Sequence, residues 1–126
     1  MSDDELRREV IAFYARYMDA FRAGDAAALA GMVAVPMARI GAATVELVRA
    51  APDPAALKAR TGWADTVEVE VEVLDATPER ANLRLKRAVR VRADGSAIET
   101  IAGVYALTRA RDGWKILAMS VVATPI

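Results

Sequence analysis

Three polar side chains sit where an otherwise apolar pattern would place them indoors, and they carry whatever chemistry this sequence can do. Tyr17 lies in the middle of a helical face on which Leu6, Val10, Phe13, Tyr14, Met18 and Phe21 recur at about 100° per residue. A phenol there can donate to a ligand carbonyl or oxyanion, or bond a backbone carbonyl as an ordinary core tyrosine. Arg87 interrupts the alternating run Leu83, Leu85, Val89, Val91. A guanidinium on that face must be paired, must anchor a ligand oxygen or carboxylate through its planar fork, or must reach water at a rim. Glu99 is the one carboxylate that a particular strand register turns inward, and so the one candidate general base. Tyr14, Met18, Trp63, Tyr105 and Ala118 are the neighbours of a suitable kind and position to touch a ligand.

Composition removes many alternatives. The 126 residues make one domain, 1–126, and 55% of them are apolar, enough for one sizeable core. Seventeen basic residues balance seventeen acidic ones, so no electrostatic case exists for nucleic acid or an anionic membrane. The chain has no Cys and no His, which excludes disulfides, thiolate metal sites and every His-containing triad. No cofactor and no metal is expected. The absence of both residue types is also compatible with an engineered scaffold. No segment approaches the roughly 20 apolar residues of a membrane span, and the acidic start Met1-Ser2-Asp3-Asp4-Glu5 is unlike a signal peptide. The expected location is cytoplasmic.

The elements that must position these side chains read in order. Ser2 caps a helix that runs to Ala23 and stops at Gly24. Asp25 caps a second helix, Ala26 to about Val33, ended by Pro36. Met37–Ile40 and Thr44–Val48 form a short hairpin, and Pro52-Asp53-Pro54 opens a brief helix closed by Gly62. From residue 64 the period becomes two: Val67, Val69, Val71 and Val73 face in, and Glu68, Glu70 and Glu72 face water. Strands over 80–92, 97–109 and 114–123 follow, separated by turns at Ala93-Asp94-Gly95 and Asp112-Gly113. Helices followed by a long antiparallel meander make an α+β fold, a curved sheet wrapped on the N-terminal helices. The Glu68/Glu70/Glu72 and Arg84/Lys86/Arg90/Arg92 stripes read as ion pairing on the solvent face.

The turn at Asp94-Gly95 leaves two registers. A type I turn over Arg92–Gly95 with Gly95 left-handed sets Val89 opposite Glu99, Arg87 opposite Ile101 and Leu83 opposite Tyr105. Arg87, Glu99 and Tyr105 then share the inner face. A two-residue turn shifts the pairing by one, sets Glu99 opposite Arg90 and turns Glu99 and Tyr105 outward.

The helix ending Phe13-Tyr14-Ala15-Arg16-Tyr17-Met18-Asp19-Ala20-Phe21-Arg22-Ala23-Gly24-Asp25 resembles the first helix of the nuclear-transport-factor-two-like (SnoaL-like, ketosteroid-isomerase-like) superfamily. Gly103-Val104-Tyr105-Ala106-Leu107 and Asp112-Gly113-Trp114-Lys115-Ile116 resemble its last two strands. The resemblance implies a cone-shaped, cystatin-like roll around an internal pocket, often a homodimer, and it favours the first register. It also implies an oxyanion-hole role for Tyr17, whose position matches that of the isomerase tyrosine. The isomerase base has no counterpart, because Met37-Ala38-Arg39-Ile40-Gly41 holds no acid, so steroid isomerisation is not implied.

Three functions are therefore carried forward. One is an enzyme with isomerase-, lyase- or cyclase-type acid–base chemistry on an apolar, oxygen-bearing molecule, with Tyr17 as donor, Arg87 as anchor and Glu99 as base. Another is a non-catalytic pocket for such a ligand; a buried Arg87–Glu99 pair that satisfies itself would favour this reading or the next. The third is a dimerisation module with a packed interior. A homodimer is expected through an outer sheet face bearing Ile98, Ala102 and Val104.

Overall fold

Ser2 accepts the Glu5 amide at 3.1 Å and so starts α1 (Asp3–Ala23), which Gly24 ends in the left-handed conformation at φ 65°. The computed structural model describes all residues from 1 to 126. One face of α1 buries Leu6, Val10, Phe13, Tyr14, Tyr17, Met18 and Ala20. This is the apolar stripe of the sequence, and the sheet lies against it.

After α1 come α2 (Ala26–Ala30), β1 (Val33–Ile40), β2 (Val45–Val48), α3 (Pro54–Thr61), β3 (Trp63–Ala76), β4 (Arg80–Arg92), β5 (Ala97–Ala110) and β6 (Gly113–Pro125). The six strands form one curved, unclosed sheet in the order β2-β1-β6-β5-β4-β3. All neighbouring pairs are antiparallel except β1 and β6, which run parallel. No helix is long and apolar enough to cross a membrane.

Two sequence expectations need correcting here. The second helix ends at Ala30, closed by short bonds from Gly31 to Ala28 and Met32 to Leu29, and Val33 already belongs to β1. Pro36 does not end a helix. It falls in the gap between Val33 and Ala38, where the pairing of β1 with β6 is interrupted and no ladder amide is required.

The sheet bends through bulges, and the bulges decide which residues face the core. β5 carries one extra residue between its pairings of Ala97 with Val91 and Glu99 with Arg90. β4 compensates between Leu85 and Ala88, where Lys86 and Arg87 together span what β5 spans with one residue. Beside it, β3 is irregular between Val67 and Glu70, with Glu68 at φ 54°. On β6 the register slips between Ile116 and Ala118. The β4 residues in the main core cluster are thus Ala81, Leu83, Leu85 and Ala88; Val89 is buried outside that cluster, Arg87 is exposed and Val91 is half-buried. On β3, Val73 is buried and Val69 and Val71 pack half-buried against the core, whereas Val67 lies beyond the bulge and is not part of it.

The edge strand β3 is tied to α1 by two arginines. Arg7 donates to the Val73 carbonyl at 2.7 Å, and Arg22 donates to the Thr66 carbonyl through Nε at 3.0 Å and Nη2 at 2.7 Å. Edge carbonyls that would otherwise invite another strand are thereby occupied. At the N-terminal end of α1, Glu9 accepts from Trp114 Nε1 at 2.9 Å and pairs with Arg109 at 2.7 Å, with Arg109 stacked on the Trp114 ring. This cluster leaves the C-terminal half of α1 as the open end of the cone.

Candidate functional site

A cavity of about 280 Å³ lies at that open end. Tyr17 and Phe21 of α1 form one wall, Met119 and Val121 of β6 another, and Leu57 of α3 covers it. Three arginines reach it from three elements: Arg39 on β1, Arg60 on α3 and Arg90 on β4. A second void of about 30 Å³ shares Tyr17, Phe21, Arg90 and Tyr105 with the first and extends to Tyr14, Met18, Thr66 and Ile101. Helix α3 stands here because Asp53 caps it, accepting the Ala55 amide at 3.0 Å, and Gly62 turns the chain at φ 79° into β3.

The polar heart of the site is a pair. Arg90 Nη1 donates to Glu99 Oε2 at 2.8 Å, with side chains only 17% and 14% exposed. Arg90 Nε is buried without a hydrogen-bond partner. Register explains the pair: the β5 bulge brings Arg90 directly opposite Glu99, and the β4 bulge restores Leu83 opposite Tyr105 farther along. The turn itself is the Arg92–Gly95 turn of the first register, with Gly95 at φ 87° and its amide donating to the Arg92 carbonyl at 2.9 Å. Each of the two alternative registers thus holds over part of the hairpin.

Next to the pair stand all three tyrosines of the chain. Tyr14 donates to the Tyr105 hydroxyl at 3.2 Å, and their rings meet edge to face at 5.0 Å. The Tyr17 ring lies 6.2 Å from that of Tyr105, and its hydroxyl has no partner in the protein while the residue borders both voids. Burial pushes all three phenols above their usual range; for Tyr14 the neighbouring Tyr105 adds to the rise. For Tyr105, the Tyr14 hydrogen bond and the Arg90 charge pull the other way without reversing the shift. All three remain neutral hydrogen-bonding groups through the physiological range.

The other site expectations sort plainly. Tyr17, Tyr105 and Met18 face the interior voids, and Tyr14 joins them as a buried partner of Tyr105. Arg87 does not. The β4 bulge turns it outward, where it is 48% exposed and pairs loosely with Glu68 at 3.6 Å. Glu99 is largely buried and paired with Arg90, and it lines neither void. Ala118 is on the outer face beside Ile40 and Val104, since the β6 slip gives the inner face to Met119 and Val121. Trp63 is buried and does not line this cavity; it packs on Phe21 at 5.2 Å, bonds Thr66 Oγ1 through Nε1 at 2.9 Å, and borders a separate cavity of about 340 Å³.

The sequence pattern does not single out Arg39 or Arg60, and it assigns Arg90 to a solvent stripe; the adjacent apolar pair Ala88-Val89 nevertheless breaks strict alternation and marks the slip that turns Arg90 in.

The sequence profile described as NTF2-like protein (DUF6841) matches residues 8–124. This chain belongs to the NTF2-like family. Solved structures agree with its fold. A candidate dehydratase of the NTF2-like family from Streptomyces avermitilis superposes with a TM-score of 0.70 at 14% identity, covering 99% of each chain. A Kribbella flavida protein gives 0.69 at 19% identity over 97% of this chain and 93% of that one. An NTF2-like protein with a cystatin-like fold from Novosphingobium aromaticivorans gives 0.67 at 20%, covering 94% and 82%. No functionally curated protein matches the sequence significantly. At these identities the NTF2-like fold is what is shared, and the function of this chain has to be read from its own cavity.

Proposed function

We propose that this NTF2-like domain binds a small apolar molecule bearing a hydrogen-bond-accepting oxygen, and that it releases the molecule unchanged. The observation that carries the reading is the Arg90–Glu99 pair. A general base must reach the proton it removes, and Glu99 is instead engaged by Arg90 and lines neither void. Asp53, at the rim, is committed to capping α3. The tyrosines are held neutral by burial. What remains are donors: the unpartnered Tyr17 hydroxyl and the unpartnered Arg90 Nε. Donors in apolar walls recognise an oxygen well and move no proton from carbon. At about 280 Å³ the cavity is at the small end of ligand sites, so the occupant is small.

The test is a thermal-shift screen with cyclic ketones, phenols and aromatic acids, followed by mass spectrometry of each binder after long incubation. Binders should raise the melting temperature and be recovered intact, and Tyr17→Phe should weaken the ketones and phenols. Conversion of a binder that Glu99→Gln abolishes would replace this reading with the catalytic one. A screen without any shift would leave only a structural module.

A further inference from the structure

We infer that the ligand carries an anionic head, a carboxylate, seated among Arg39, Arg60 and Arg90 at the mouth of the cavity; this rests on the binding function proposed above and names its ligand class. The charged lining consists of those three arginines and one acid, Asp53, and with Arg90 paired to Glu99 one positive charge is left in excess around a space whose other walls are largely apolar. None of the three guanidiniums is used up. Arg60 takes part in no ion pair of the chain. Arg39 reaches only Glu46, at 3.8 Å, with both side chains more than half exposed. Arg90 spends Nη1 on Glu99 and keeps its buried Nε unpartnered.

Structure-stabilising arginines elsewhere in this protein look different. Arg7 and Arg22 each bind a backbone carbonyl within 3.0 Å together with a carboxylate on their own helix. Arginines drawn to one cavity from three separate elements, without such contacts, leave donor forks for a planar anion. A carboxylate would take charge-assisted bonds from them, each about twice as strong as a neutral one. The one carboxylate among the lining residues, Asp53, has an oxygen turned to the Ala55 amide. The apolar body of the ligand then lies inward on Phe21, Met119 and Val121, with Tyr17 beside it. The ligand class is a compact aromatic or alicyclic monocarboxylic acid.

Isothermal titration of the intact protein with matched pairs tests this: benzoate against benzamide, and 1-naphthoate against 1-naphthamide. Each acid should bind at least about tenfold more tightly than its amide, and the preference should shrink as salt is added. Arg39→Gln and Arg60→Gln lie at the rim and keep the fold; each should cut the acid's affinity several-fold and leave the amide's nearly alone. Arg90→Lys, which keeps a cation beside Glu99, should also lose part of the preference. Arg87→Gln, on the outer surface, should change nothing. Equal affinity for acid and amide would overturn the anionic head and leave the binding function intact. No binding by any of the four would overturn both. A preference for acids that survives both rim substitutions would place the anion elsewhere and overturn the inference.

Discussion

Arg90 Nη1 and Glu99 Oε2 meet at 2.8 Å across the β4–β5 hairpin, each side chain less than a fifth exposed. The contact exists only because β5 carries a bulge on the turn side of Glu99 and β4 another beyond Ala88. It neutralises the interior carboxylate, and it leaves an arginine rather than an acid at the cavity wall. Removing either partner strands the other. Arg90→Met and Glu99→Gln should each cost roughly 1–3 kcal/mol in urea unfolding. The double variant should cost clearly less than the two single losses together. Additive losses would mean that the two groups do not interact.

The tyrosines separate structure from binding. Tyr14→Phe removes the 3.2 Å bond to Tyr105 and should cost about 0.5–1.5 kcal/mol. Tyr17→Phe breaks no bond within the protein, so its unfolding free energy should stay within about 0.5 kcal/mol of the parent. A large loss of stability in Tyr17→Phe would show that its hydroxyl has a structural partner.

The same three phenols set the alkaline limit. Burial raises each above its unfolded value of about 10. The folded state therefore holds protons that the unfolded chain gives up. The stability from this source is whole below about pH 10 and falls as pH rises further, by up to about 1.4 kcal/mol per unit for each tyrosine. Since these are the only tyrosines, phenolate absorbance should appear only in step with loss of circular dichroism. Phenolate absorbance in a still-folded protein would contradict this burial.

A homodimer through the outer sheet face is the fourth expectation. Val104 is 48% and Val122 63% exposed on strands paired next to each other, Ala102 opposite Val122, and Ile40 is also exposed. Sedimentation at micromolar concentration should give a dimer, and Val104→Lys with Val122→Lys should give a monomer that still folds. A monomeric parent would refute it.

Most of the architecture could be read from the residues, because caps and periods are local. Ser2, Gly24, Asp53 and Gly62 bound two of the helices, and the change of period at residue 64 marks the strands. The site was only half legible. Tyr17 and Tyr105 follow from a helical face and a turn type, both short-range. Strict alternation puts Arg87 and Ala118 on the inner face and the structure puts them on the outer one, because one extra residue reverses every side chain beyond it. The bulges responsible are set by how the sheet must curve over α1, which no local pattern in β4 or β6 encodes beyond the irregular pairs Ala88-Val89 and Ile116-Leu117. Arg39 and Arg60 share a cavity only through the fold, from the separate elements β1 and α3.

The central claim is that the space between α1, α3 and β6 is the binding site. Methyl spectra of protein labelled at Met, Leu and Val, titrated with 1-naphthoate and separately with 2-naphthol, test it most directly. The methyls of Met119, Val121 and Leu57, which line the cavity, should shift in a saturable way, and those of Val104 and Val122 on the outer face should not. Shifts confined to the outer face, or no saturable shift with either compound, would contradict it.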